Sequence, residues 1–135
     1  MSSFNTPTSP AFSPPTPDLS RDETATLIAA SKVNGTSVYN PRGDSLGSIY
    51  DVMLDKGTGK VAFAIMSFGG FLGLGESYHP LPWSLLRYDP RQGGYIVNLD
   101  RDRLEGAPSY AAGSAPDWSN RAYGQGIDAY YGVSS

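Results

Sequence analysis

Short apolar segments alternate with turn-forming residues through the middle of the chain, from residue 24 to residue 108. The turns contain Asn-Gly, Asn-Pro-Arg-Gly-Asp, Asp-Lys-Gly-Thr-Gly and Asp-Pro-Arg-Gln-Gly-Gly, in which glycine supplies positive φ and proline presets the first dihedral angle. About six short strands at this spacing predict a small all-β barrel. The predicted strands are Ser37–Asn40, Leu46–Leu54, Lys60–Phe68, Tyr78–Leu81, Leu85–Asp89 and Tyr95–Leu99.

Two of these strands depart from the simple alternation of apolar and polar residues. In the second, Ile49 lies on one face while Val52 and Leu54 lie on the other, which predicts a β-bulge near Tyr50-Asp51. The third strand is apolar on both faces, whereas an antiparallel strand with one wet face alternates. We therefore expect another segment to cover its outer face, and this face is a candidate contact surface. The residues assigned to it are Ala62, Ala64 and Met66.

One short helix is predicted after the last strand. Asp100 can cap a helix over Arg101–Glu105, which Gly106 and Pro108 end. The segment from Thr24 to Ala30 fits a short helix or the start of a strand equally well.

The two ends of the chain differ in composition from the middle. Residues 1–23 are rich in Pro, Ser and Thr and are expected to be a flexible, disordered tail. Residues 109–135 form a second tail that is unusually aromatic, and we expect it to dock on the third strand or on a partner subunit. Its glycines argue against one long helix. The aromatic residues are Tyr110, Trp118, Tyr123, Tyr130 and Tyr131.

Charge and composition exclude several function classes. Residues 24–108 contain eight basic and eight acidic side chains, so no basic surface for direct nucleic-acid binding is expected. The chain has no cysteine, and therefore no disulfide and no thiolate nucleophile. It contains no basic, apolar leader and no apolar run long enough to span a membrane. The expectation is a cytoplasmic protein.

The single histidine, His79, is the residue on which catalysis or metal binding would have to be built. It lies in a predicted strand, and neither Ser77 nor Ser84 stands in a nucleophile-elbow sequence. Asp51 and Asp55 could form a carboxylate pair, but one is near the predicted bulge and the other begins a turn. We therefore expect no catalytic residue, no metal site and no cofactor.

A glycine-rich loop, residues 68–76, carries three large apolar side chains: Phe71, Leu72 and Leu74. These side chains either plug one mouth of the barrel or form an exposed apolar patch that binds a partner. The loop has no following Lys-Ser/Thr, so it is not a phosphate-binding loop.

Several motifs together resemble the PRC-barrel family. They are the stretch from Val38 to Asp55, then Gly-Gly-Phe-Leu-Gly at residues 69–73, Pro-Trp-Ser at 82–84 and Leu-Glu-Gly-Ala-Pro at 104–108. The family includes the cytoplasmic domain of the photosynthetic reaction-centre H subunit and a domain of a ribosome-maturation factor. The resemblance implies an SH3-like barrel that acts through protein contacts.

The membrane helix of the first relative and the RNA-associated domain of the second have no counterpart in the chain. The first functional hypothesis is accordingly a non-enzymatic interaction or adaptor module that forms a homodimer or binds another protein. The alternative is a factor associated with ribosomes or RNA processing that acts through a protein contact.

Overall fold

The structure is a computed structural model that describes residues 23–24, 26–68 and 77–134. The chain divides into two units, residues 1–32 and 33–135. In the first unit, Glu23 and Ile28 form an isolated antiparallel bridge, and the Lys32 Nζ lies 3.3 Å from the Glu23 Oε1. The helical turn α1 (Ala30–Val33) follows this bridge.

The second unit is built on one sheet, which in the described part of the chain has seven strands. Their order across the sheet is β5-β6-β1-β2-β3-β4-β7, and all neighbours are antiparallel except the parallel pair β1 and β6. The all-β prediction is confirmed, with bounds shifted by one to three residues and a seventh strand that was not predicted. The strands are β1 (Ser37–Tyr39), β2 (Ser45–Leu54), β3 (Val61–Phe68), β4 (Ser77–Pro82), β5 (Arg87–Asp89), β6 (Gly94–Ile96) and β7 (Tyr110–Ala111).

The predicted bulge is present in β2. The pairing of β2 with β3 shifts between Ile49 and Asp51, so Tyr50 is the extra residue. Because side chains alternate along a strand, this extra residue reverses which positions of β2 face the core. The bulge thus accounts for the change of apolar parity in the sequence.

Strand pairing identifies the face of the sheet that carries the core. Ile49 pairs with Met66, and Met66 pairs with His79, and all three side chains are at most 2% exposed. Ala64 is also fully buried and pairs with Leu81. The core therefore lies on the face of β3 that bears the even-numbered residues.

The structure thus differs from the expectation that Ala62, Ala64 and Met66 form an outer contact face. Ala64 and Met66 are buried, and Ala62 is exposed. The opposite face of β3 carries Phe63 and Ile65. Both faces of this strand are apolar, so hydropathy alone could not distinguish the inner one.

The predicted helix α2 (Arg101–Glu105) is confirmed. The Asp100 carboxylate accepts a hydrogen bond from the Arg103 N–H at 2.8 Å, as expected of an N-cap. A 3₁₀ turn over Trp83–Leu85 links β4 to the strand that follows.

The C-terminal helix α3 (Arg121–Tyr131) contacts β4. Asn120 caps its start, and Gly132 ends it in the left-handed conformation at φ 72°. The helix contains Gly124, and a Cβ added there would lie 3.5 Å from the Phe63 ring, an ordinary van der Waals distance. None of the helices in the described residues has the length and apolar character needed to cross a membrane.

A candidate binding groove

The outer face of β2, β3 and β4 is formed by residues that the bulge and the strand register bring together. Asp51 pairs with Ile65, and Ser67 pairs with Tyr78, on the side opposite the core. Tyr50, the bulged residue, is 55% exposed. A strand bulge is a common way to redirect a side chain at a working surface.

A groove of about 300 Å³ lies on this face, and we call it the aromatic groove. One wall comes from the strands and the other from the C-terminal segment. Its lining residues are Tyr50, Asp51, Met53, Ile65, Tyr78, Tyr110, Ala112, Gly113, Ala115 and Trp118.

The tyrosine rings of the groove contact each other in sequence. The ring centroids of Tyr50 and Tyr78 are 4.5 Å apart, and those of Tyr78 and Tyr110 are 5.6 Å apart. Both pairs are tilted, at 37° and 42°, which is within the range favoured by aromatic pairs. The three tyrosines thus form a connected aromatic cluster that joins the strand wall to the C-terminal wall.

Trp118 fixes the second wall to the sheet. Its ring centroid lies 5.5 Å from that of Phe63 and 5.1 Å from that of Tyr123. Further along, α3 is anchored by Ile127, which is fully buried. The outer face of β3 is therefore covered by the chain's own C-terminal segment.

Asp51 is the one formally charged side chain among the described residues that line the groove. Its Oδ1 accepts a hydrogen bond from the Val52 N–H at 2.8 Å, which orients the carboxylate. The pKa of the Tyr110 hydroxyl is raised, first by burial and then by nearby groups that include Tyr123, Tyr50 and Asp51. The groove therefore disfavours added negative charge.

His79 is apart from this groove. Its ring is 2% exposed, its Nε2 lies 2.9 Å from the Ser77 Oγ, and the Phe68 ring packs against it at 5.2 Å. The Nδ1 atom is buried without a hydrogen-bond partner among the described residues, and burial lowers the pKa of the ring. His79 thus has the environment of a core residue.

In the parts of the chain that the structure describes, no group of three or more His, Cys, Asp and Glu side chains is arranged to hold a metal ion. Asp51 and Asp55, considered as a carboxylate pair from the sequence, have separate local roles. The Asp55 carboxylate accepts hydrogen bonds from the N–H groups of Gly57 and Thr58, at 2.8 and 3.0 Å, within its turn.

The predicted contact residues of the C-terminal segment lie in two places. Trp118 lines the aromatic groove, and Tyr123 packs beside it. Tyr130 and Tyr131 lie at the end of α3, where their rings are 5.0 Å apart. The loop residues Phe71, Leu72 and Leu74 lie outside the described residues.

Tyr50 and Tyr78 are groove residues that the sequence analysis did not select. They are distant in sequence from Trp118. The groove is formed by several separate segments, so the pattern within any one segment does not reveal it. The one available signal was the bulge, since it marked position 50 as a place where a side chain leaves the regular alternation.

Two comparisons relate the chain to known proteins. A family model described as PRC-barrel domain matches residues 25–104. An uncharacterized protein from Deinococcus radiodurans is 28% identical over 91 residues, which cover 62% of this chain and 32% of that protein. The chain thus spans about a third of the length of this curated relative. The second wall of the aromatic groove, from Tyr110 to Trp118, lies beyond the residues matched by the family model.

Proposed function

Because the chain belongs to the PRC-barrel domain family, we propose that it is a non-enzymatic protein-interaction module that self-associates. The observation that carries the proposal is the exposure of large apolar side chains on β2. Tyr50 is 55% exposed and Leu54 is 53% exposed, although both belong to a central strand of the sheet. Exposed apolar groups next to a groove are typical of surfaces that bind another protein.

The surroundings of His79 support a role without catalysis. A general acid or base must reach a substrate, whereas this ring is buried in the core and hydrogen-bonded to Ser77.

The absence of cysteine is compatible with a reducing compartment, so we expect the module to act in the cytoplasm.

One edge of the sheet, formed by β4 and β7, favours contact through side chains over pairing of strands. β7 pairs only with Ser77 and Tyr78, and the remainder of β4 contains Pro80 and Pro82, which have no N–H to donate. An additional strand could not form a regular ladder there. A second copy is therefore expected to bind through the apolar groups of β2.

Sedimentation velocity of the full chain over a range of concentrations tests the proposal. We expect a concentration-dependent dimer that Leu54→Ser and Tyr50→Ser each weaken. Leu27→Ser is the matched control, because Leu27 is 71% exposed but belongs to the first unit. A monomer at every concentration would contradict self-association, and a dimer weakened by Leu27→Ser alone would contradict the assignment to β2.

A further inference from the structure

We propose that the aromatic groove binds a methylated ammonium cation, a ligand role that goes beyond protein association. Three properties of the groove support this assignment: the identity of its rings, the sign of its charge and the apolar character of the rest of its lining.

The rings supply the first argument. Tyr50, Tyr78, Tyr110 and Trp118 all line the groove, and the three tyrosines form a contiguous cluster. The face of an aromatic ring carries negative electrostatic potential and attracts cations, most strongly for tryptophan and tyrosine. Several such rings around one space are the arrangement that recognises quaternary ammonium groups.

The charge of the lining supplies the second argument. Asp51 contributes a carboxylate, and none of the described lining residues is Lys or Arg. The carboxylate is held in place by its hydrogen bond from the Val52 N–H. Its influence reaches across the groove, since it is among the groups that raise the pKa of Tyr110. A cation is therefore favoured over a neutral or anionic ligand.

The apolar part of the lining favours a methylated ammonium over an unmethylated one. An unmethylated ammonium carries three N–H donors. Moving each donor out of water costs free energy unless it finds a new acceptor. Much of the lining is apolar, including Met53, Ile65 and Ala112, and one oxygen of Asp51 already accepts from Val52. A trimethylated nitrogen has no donor to satisfy, and its methyl groups bury favourably against aromatic rings.

The size of the groove limits the ligand. Its volume of about 300 Å³ is at the lower end of the range for ligand pockets. The groove thus fits a head group, and the exposure of Tyr50 leaves the rest of the ligand in solvent. The same head group occurs on small molecules such as choline and on trimethylated lysine side chains.

Titration of the full chain, followed by NMR chemical shifts and calorimetry, tests the assignment. The probes are tetramethylammonium, choline, and 3,3-dimethylbutan-1-ol, which has the shape of choline without its charge. We expect choline to bind with a dissociation constant on the order of 1 mM, and the neutral probe to bind at least about tenfold more weakly. A short peptide with a trimethylated lysine, compared with choline, distinguishes a protein-borne from a free ligand.

Two variants locate the site. Tyr50→Ala is expected to weaken choline binding about fivefold, and Asp51→Asn about threefold, with the second effect smaller at high salt. Glu105→Gln removes the same charge from an exposed position outside the groove and serves as the control.

Equal binding of the charged and neutral probes would overturn the assignment of a cation site, and so would no binding of any probe. Equal weakening by Asp51→Asn and Glu105→Gln would overturn the assignment to this groove. Tyr50 belongs to both proposed surfaces, so the titrations are made below the concentration at which sedimentation velocity detects a dimer. Under that condition the comparison of probes and the Asp51→Asn variant report on the groove alone, and the two proposals can fail separately.

Discussion

Tyr130 and Arg103 bind each other's backbone. The Tyr130 hydroxyl donates a hydrogen bond to the Arg103 carbonyl oxygen at 2.6 Å, and the Arg103 guanidinium donates one to the Tyr130 carbonyl oxygen. The guanidinium carbon also lies 4.3 Å from the centre of the Tyr130 ring. These contacts join the end of α3 to α2, so the C-terminal segment is connected to the part of the chain that the family model matches.

Removing the Tyr130 hydroxyl should therefore destabilise the protein. We expect Tyr130→Phe to lower the free energy of unfolding by about 0.5–1.5 kcal/mol, measured by urea denaturation. Tyr131→Phe is the matched control. The Tyr131 hydroxyl is buried without a hydrogen-bond partner among the described residues, so its removal should be neutral or stabilising. A larger loss from Tyr131→Phe than from Tyr130→Phe would contradict both assignments.

The stability of the protein should fall as the pH drops below about 6.5, because of His79. Burial lowers the pKa of this ring below its ordinary value of 6.5, so the unfolded chain binds a proton before the folded chain does. The contribution of neutral His79 to the free energy of unfolding is fully present above pH 6.5. It is lost as the pH falls toward the folded-state pKa, by up to about 1.4 kcal/mol per pH unit.

Urea denaturation between pH 7.5 and 5.5 measures this dependence. His79 is the chain's only histidine, so His79→Gln should remove most of it. The prediction is wrong if the wild type is equally stable across this range, or if His79→Gln keeps the same slope.

Two glycine substitutions should have opposite effects on stability. A Cβ on Gly47 would lie 2.0 Å from the Ser67 carbonyl oxygen, which belongs to the backbone of the paired strand and cannot rotate away. Gly47→Ala should therefore cost several kcal/mol, on the order of 3. A Cβ on Gly126 has no atom within 4 Å, so Gly126→Ala should stabilise α3 by about 0.5–1 kcal/mol. Thermal unfolding of both variants distinguishes these outcomes, and a neutral Gly47→Ala would show that β2 and β3 are not this close.

The C-terminal segment should contribute to the stability of the whole second unit. Ile127 is fully buried, and Ile127→Ala should cost about 2–4 kcal/mol in the urea-derived free energy of unfolding. Gln125, on the same helix, is exposed, and Gln125→Ala should change stability by less than about 0.5 kcal/mol. Similar small effects of both substitutions would indicate that α3 does not pack on the sheet.

Local features of the fold could be predicted from the sequence because each depends on a few neighbouring residues. A bulge near Tyr50-Asp51 followed from the positions of Ile49 and Val52, and the α2 cap followed from Asp100. The inner face of β3 could not be predicted in the same way. Both of its faces are apolar, and what distinguishes them is which one meets the C-terminal segment.

The aromatic groove could not be predicted from the sequence, because it depends on how distant segments pack together. Its walls come from Tyr50, Tyr78 and Trp118, which meet only after the sheet and the C-terminal segment have packed. The aromatic composition after residue 109 indicated that this segment contacts something. It did not indicate that the contact leaves a cavity beside Asp51.

The two walls of the groove come from different parts of the chain, one inside the region that the family model matches and one outside it. The strand side belongs to the matched family region, and the Tyr110 to Trp118 side lies beyond it. A change in the length or sequence of this short segment can therefore alter what the cavity accepts while the barrel stays intact. The stabilising contacts of Ile127 and Tyr130 lie in α3, outside residues 110–118, so the cavity can change at this short segment while those contacts are kept.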